Sequence, residues 1–539
     1  MNIKILTFII WYLLLANTSF AYGRQDTLRG SNGAGRYWWD VLHYDLSIDM
    51  DTAQRSISGH NTITLLVTDA PTQQFQIDLQ IPMEIDSIKY GSLALQYTRE
   101  ENVWWVNTSI LHWQKGEIHK ITIYYHGQPR VARMPPWDGG FIWSEDSTGK
   151  PWYSVACQGL GASSWWPCKD YQAEEPDSGM VLRINAPKGL SAISNGRLLK
   201  HNETNNSWTW AVKNPINSYD ATFYIGDYVS WKDTLMGEDG RLDLSFYVLR
   251  YNEAKAKKQF SVTKEMLHCF EYWMGPYPFY QDGYKLVEAP HLGMEHQSAV
   301  AYGNEYKMGY KGMDRSGTGV GLLFDFIIIH ETGHEWFGNN ITAADITDNW
   351  IHEGFTTYTE ALFTECAFSK DKAFTYTIGE RKNIRNDKPI CGSYGIHDHG
   401  SGDQYDKGAS IVHMIRVMMN NDQQFRQLLR DLNKDFYHSI TTSKEVETYI
   451  AKKTGLQLAA FFDQYLRTND IPTLEWYIKS NNLYYRFTNT VPEFSLPVTL
   501  YGRKKKVPVL VTNEWQHIKW KNGGYNVSYS TDYLIKDKD

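Results

Sequence analysis

The run His330-Glu331-Thr332-Gly333-His334, separated by eighteen residues from Glu353, constrains this chain more than any other feature. On an α-helix, residues four apart stand one turn above each other on the same face. Two imidazoles spaced this way converge on one point, with Glu331 beside them. Two histidines and a carboxylate are a standard three-ligand set for a catalytic Zn²⁺, which keeps a fourth position for water. His330, His334 and Glu353 are therefore the candidate metal ligands and Glu331 the candidate base.

The flanking sequence fits this reading. Residues 321–329 are a largely apolar run that enters the motif without a breaker, and Gly338-Asn339-Asn340 is a helix stop. The motif is expected late in a buried helix. Residues 339–348 are polar and turn-like, and residues 350–368 predict a second helix with Asp348 as N-cap, which puts Glu353 in its first turns. The competing reading of the same residues is a pair of core histidines and an exposed glutamate.

Residues 1–4 are a short basic start, residues 5–15 an apolar stretch, and Ser19-Phe20-Ala21 places small residues at the two cleavage positions. This predicts a cleaved export signal over 1–21 and a periplasmic or secreted product, with an uncleaved anchor as the alternative. No cysteine follows the signal, so no lipid anchor is expected, and no later segment approaches the roughly twenty apolar residues of a spanning helix. Loss of Lys4 with the leader moves the formal charge from -7 to -8, which argues against nucleic acid as a partner. Arg503-Lys504-Lys505-Lys506 is expected at a solvated hairpin tip. Five cysteines are odd in number and sparse for this length, so no disulfide scaffold is expected. Cys157 and Cys168, the one close pair, are read as thiols.

Three or four domains fit the length. From about residue 36 to 231 apolar residues alternate, as in Tyr44, Leu46, Ile48 and Met50 or Ile121, Ile123 and Tyr125. From about Leu242 to Thr468 the pattern is largely helical, and after Asp470-Ile471-Pro472 it returns to short aromatic and β-branched runs. The expected organisation is a leader (1–21), an all-β domain (22–235), a mainly helical domain carrying the metal motif (236–470) and a small β domain (471–539). The fold class is multidomain α+β.

Two further stretches narrow the chemistry. His291-Leu292-Gly293-Met294-Glu295-His296 precedes the metal motif, and Gln404-Tyr405-Asp406-Lys407-Gly408-Ala409 follows it. Together with the motif they resemble the aminopeptidase N and leukotriene hydrolase family of gluzincin zinc aminopeptidases, over most of the mature chain. The resemblance implies a saddle-like N-terminal β domain, a thermolysin-like catalytic domain and a β-sandwich-like C-terminal domain. It implies that the strand Gly293-Met294-Glu295 binds substrate and that Glu295 takes its free α-amine, although His296 stands in place of the family's asparagine. It implies that Tyr405, 52 residues beyond Glu353, donates to the oxyanion of the tetrahedral intermediate. Tyr394 is the weaker candidate for that role. His397 and His399 read as loop residues, with a second metal site as an outlying reading. Cys157-Gln158-Gly159 and Trp165-Trp166-Pro167-Cys168-Lys169-Asp170 look like the family's Pro-Cys-x-Asp segment, which places Gln158 beside the amino terminus of a substrate. Tyr277-Pro278 and residues 350–355 also match, with His352 where many relatives have asparagine. Only about seventy residues follow Asp470, so a more open cleft than that of larger relatives is expected.

The function implied is a zinc-dependent aminopeptidase with one Zn²⁺ per chain, acting on peptides with a free N-terminus through a metal-activated water. Three alternatives stay open. A thermolysin-like endopeptidase would share the ligands and Glu331 but has no use for Glu295. An epoxide hydrolase is the second, since that chemistry occurs within the family. A non-catalytic peptide-binding protein on the same fold is the third.

Overall fold

Alternating burial along Trp39–Asp51 sets the first half of the molecule: Tyr44, Leu46 and Ile48 face inward while their neighbours are part-exposed. The computed structural model describes residues 22–538, so the expected export leader lies outside the described residues. Trp39–Asp51 pairs antiparallel with Ser56–Val67 and parallel with Met180–Asn185 at the centre of an eight-stranded sheet. A four-stranded and a three-stranded sheet complete this region, and Trp38, Tyr44, Trp165 and Trp166 are fully buried among them. The strand Pro151–Ala156 runs in the four-stranded sheet and ends immediately before Cys157 and Gln158. That ending delivers Gln158 to the functional cleft.

The change to helix comes later than expected. Leu242 lies in the strand Gly240–Leu249, where Leu242, Leu244, Phe246 and Val248 alternate inward at period two. This strand belongs to a five-stranded sheet, which ends at its edge in Val300–Tyr302 and the two-residue strand Gly293–Met294. Helices follow: Thr263–Met274, Phe326–Gly333, Trp350–Ala367 and Asp406–Met419 among others. The described residues form two apolar cores. One gathers residues from Trp38 to Tyr228 with a few from the five-stranded sheet, and the other runs from Leu235 to Ile535.

Two small sheets hold residues after Asp470, one of four strands and one of three. Their inward residues, such as Leu474, Phe487, Leu496 and Val498, share one continuous core with the catalytic helices. Arg381 fastens the join by donating to the carbonyls of Thr531, Asp532 and Tyr533. The basic run sits at the hairpin turn between Ser495–Gly502 and Lys505–Thr512, as expected. Among the described residues no helix is long and apolar enough to cross a membrane.

Cys157 and Cys168 are buried thiols, whereas Cys269 and Cys366, 97 residues apart, form a disulfide. This bridge joins Thr263–Met274 to the end of Trp350–Ala367, the helix that carries Glu353. Cys157 and Cys168 are thiols as expected, and sequence spacing could not show a bridge that meets only through the fold. A cross-link closing a loop of this length stabilises by about 2–5 kcal/mol. Cys366→Ser should therefore lower the thermal unfolding midpoint, and reductant should lower that of the parent protein to the same degree. Equal midpoints for the parent with and without reductant would show that no bridge forms.

Candidate active site

The helix Phe326–Gly333 starts at Asp325, whose side chain accepts from the amides of Ile327 and Ile328. Tyr302, Asn304 and Gln259 also donate to this carboxylate at 2.7 Å, fixing the buried cap. Ile327, Ile328 and Ile329 are buried, so the helix is apolar all round and held within the core. It ends at Gly333, earlier than the Gly338 stop predicts. The early turn bends the carbonyl of Phe337 back to the ring of His334, 3.0 Å from Nδ1.

Glu353 arrives on Trp350–Ala367, in the first turn as expected. Asp348 does not cap this helix: Asn349 holds the cap position without a side-chain bond, and Asp348 accepts from Tyr394 and Ser443. Glu353 Oε2 lies 3.3 Å from His334 Nε2 and 3.7 Å from His330 Nε2. Two ligand atoms sharing one tetrahedral zinc at about 2.0–2.1 Å would be separated by about 3.3 Å. Each imidazole is oriented through its other nitrogen: His330 Nδ1 meets Glu360 Oε1 at 2.7 Å, and His334 Nδ1 meets Phe337 O and Thr356 Oγ1. Those bonds leave both Nε2 lone pairs facing the common point. Glu353 Oε2 is buried without a hydrogen-bond partner, an orphan that a cation would satisfy. The donor set, its spacing and the orphaned oxygen all fit zinc.

Glu331 and Glu295 bring two more carboxylates to the same space, and Glu295, Glu331 and His334 offer ligand atoms within 4.8 Å of one another. Burial pushes the Glu331 carboxyl up to about 8, opposed by the charge of His330 and reinforced by Glu295. Glu331 lies against Gly293, where a Cβ would come within 2.4 Å of its Oε1. Glycine is therefore required at 293 beside the Glu331 carboxyl. Glu295 follows the edge strand and is 2 % exposed, so its carboxylate faces the interior and not solvent. Its Oε1 accepts from Gln158 Nε2 at 2.6 Å and from Tyr219 at 3.0 Å, and Gln158 also reaches Glu353 Oε1 at 3.1 Å. The Tyr405 ring stacks 6.1 Å from that of His330. Burial and the charges of Glu353 and Glu295 raise its phenol well above the ordinary range, so it remains a donor. These groups line one cleft of about 630 Å³ together with Gly293 and Met294.

Residues 258–465 match the Peptidase family M1 domain. Aminopeptidase N of Lactococcus lactis is 20% identical over 456 residues, covering 80% of this chain and 51% of its own length. Leukotriene A-4 hydrolase of Xenopus laevis is 22% identical over 479 residues, covering 81% of this chain and 73% of its own length. These matches, centred on the M1 domain at residues 258–465, support a relationship to the gluzincin aminopeptidases. Tricorn protease-interacting factor F2 of Thermoplasma volcanium, 22% identical over 405 residues, shows the difference in size: the chain spans about half the length of several curated relatives, 50% in this case. The fold agrees with that of an M1 zinc metallopeptidase from Deinococcus radiodurans, with a TM-score of 0.68 at 19% identity over 81% of this chain and 95% of that one.

Other residues marked in the sequence fall outside the cluster. Tyr394 binds Asp348 and is absent from the cleft wall. His296 is fully buried and meets the Tyr224 hydroxyl at 2.7 Å, and His352 Nε2 accepts from the Ala343 amide, so both act as packing residues. His397 and His399 stand 3.2 Å apart beside Arg29, with no carboxylate completing a second metal set among the described residues. Two partners were not anticipated. Glu360 lies seven residues after Glu353, on the same helix face, a spacing that could have revealed it. Tyr219 comes from a distant part of the β region and carries no such signal. Removing a carboxylate behind a ligating histidine costs about 10–100-fold in metal affinity. Glu360→Gln should lower zinc affinity by that factor in chelator competition while the fold is kept, and an unchanged affinity would separate Glu360 from the metal site.

Proposed function

We propose that the protein is a zinc-dependent aminopeptidase in which His330, His334 and Glu353 hold the ion, Glu331 is the base and Tyr405 the oxyanion donor. One observation carries this beyond a general zinc peptidase: a buried carboxylate, Glu295, closes the same cleft beside the metal cluster, held there by Gln158 and Tyr219. A buried carboxylate needs a cation, and the α-ammonium of an unblocked peptide supplies one. Gly293 and Met294, on the edge strand leading to Glu295, support the peptide backbone as an added strand.

A zinc ion bound there would lower the pKa of a water towards about 7 and polarise the scissile carbonyl. Glu331 accepts the proton of the attacking water and later delivers it to the leaving amine. Tyr405 donates to the carbonyl oxygen as that atom gains charge. Glu295, with Gln158 beside it, fixes the N-terminus so that the first peptide bond is the one presented. Cleavage is counted from the free end, one residue at a time. The endopeptidase, epoxide hydrolase and binding-protein readings give no use to this buried glutamate or to the complete base and donor set together.

We also propose export to the periplasm or medium with cleavage after Ala21, supported by residues 1–21 and by the Cys269–Cys366 bridge, which an oxidising compartment favours. The division into units at 22–235, 236–470 and 471–539 is likewise proposed, supported at the first boundary by the separation of the two cores.

Aminoacyl-anilides and their N-acetylated forms test the central reading. Acetylation leaves Glu295 buried without its partner, at a cost of about 3–5 kcal/mol, so capped substrates should be slower by about 10² or more. Glu331→Gln should lower kcat by about 10²–10⁴ while zinc is retained. Equal turnover of capped and free substrates would instead favour the endopeptidase.

A further inference from the structure

We infer that residues 23–31 form a strap that shapes the amine-binding end of the cleft, with Arg29 as its positioning residue. The inference rests on the aminopeptidase reading of that end.

The strap has no core of its own. Its helix, Arg24–Gly30, is seven residues long and buries none of them. So short a helix is not stable alone in water. Polar bonds hold it instead. Arg36, 1 % exposed, donates from Nη1 to the carbonyls of Arg29 and Ser31, and from Nη2 to Asp78 and the carbonyl of Asp170. Gln76 donates to the carbonyl of Leu28. These bonds fix the direction in which Arg29 leaves the helix.

Arg29 joins two walls of the cleft that are remote in sequence. Its Nη2 donates to the carbonyl of Gly159 at 2.8 Å, its Nε lies 3.3 Å from the ring nitrogens of His397, and its Nη1 lies 3.6 Å from Asp170. Gly159 follows Gln158, whose amide spans Glu295 and Glu353. His397 stands 3.2 Å from His399, which lines the cleft. The two walls also touch directly. Gly159 has φ +69°, and a Cβ there would sit 2.6 Å from His399 Cε1. The strap backbone meets the same loop: the His397 amide donates to the carbonyl of Asp26, and a Cβ on Gly30 would lie 2.2 Å from the Ile396 carbonyl carbon.

Neither imidazole can stand in for the guanidinium. Burial, with Arg29 beside it, pushes His397 down to about 3, and burial lowers His399 too. Both are neutral at pH 7, so Arg29 is the cation that ties the Gly159 carbonyl and Asp170 to the histidine loop. Its loss releases the turn that carries Gln158 and lets the N-terminus of a substrate seat loosely. Arg29 touches no reacting atom, so its effect falls on substrate capture.

The test is steady-state kinetics of zinc-loaded Arg29→Ala and Arg29→Lys on aminoacyl-anilides and their acetylated forms. Arg29→Ala should raise KM about 10-fold with kcat within about 2-fold, and should narrow the preference for free over acetylated substrate. Arg29→Lys should recover part of the loss. Hydrogen exchange should quicken in Arg29→Ala at residues 158–161 and 396–399 and nowhere else. Gly159→Ala, which presses the same wall from the other side with the strap intact, should raise KM similarly and decides the matter if Arg29→Ala does not fold. An unchanged KM in Arg29→Ala, or in Gly159→Ala where that decides, overturns the inference, as does a fall in kcat and zinc content with KM untouched. Should the parent protein show no preference for free substrates, the aminopeptidase reading fails instead, and that result is read before any variant.

Discussion

The structure depends on the convergence of two imidazoles and one carboxylate on a single buried point. His330 and His334 come from one helix, Glu353 from the next, and all three are at most 5 % exposed. Burying them without a cation is costly, because Glu353 Oε2 would keep no partner. The surroundings are arranged to hold this convergence open to an ion. Asp325 locks the start of the first helix, Glu360, Phe337 and Thr356 aim the rings, and the Cys269–Cys366 bridge ties the second helix to its neighbour.

Charge then divides the labour among three carboxylates that share one cleft. Glu353 belongs to the metal cluster, and burial there is outweighed by His334 and His330, which hold its carboxyl well below the usual range. Burial raises the Glu331 carboxyl, which suits the proton-accepting role proposed for it. Glu295 is bound by two neutral donors, Gln158 and Tyr219, which orient it without neutralising it. A carboxylate held in this way suits the amine-binding role proposed for it. The same residue types thus reach three roles through their partners.

Much of this was legible in the sequence because the informative residues are local. The four-residue spacing of His330 and His334 and the helical run around Glu353 carry their geometry within a few residues, while the short segments around Glu295 and Tyr405 were legible through their family resemblance. What was hidden depends on contacts between distant segments. Tyr219, from the β region, and Arg29, from the strap, bond to the cleft residues Glu295 and Gly159, and Cys269 finds Cys366 across 97 residues. The helical region was expected from about Leu242, whereas Leu242 and Leu244 are alternate residues of a strand in the sheet that ends at Gly293–Met294. Asp348 looked like a helix cap by its position, but Tyr394 and Ser443 claim its carboxylate first.

The most direct measurement of the central claim is anomalous diffraction at the zinc edge from crystals grown with one equivalent of the metal. The account predicts a single strong peak bounded by His330 Nε2, His334 Nε2 and Glu353 Oε2, with Glu331 and Tyr405 facing the open side. Anomalous density elsewhere, or none at this point at full zinc loading, would contradict it.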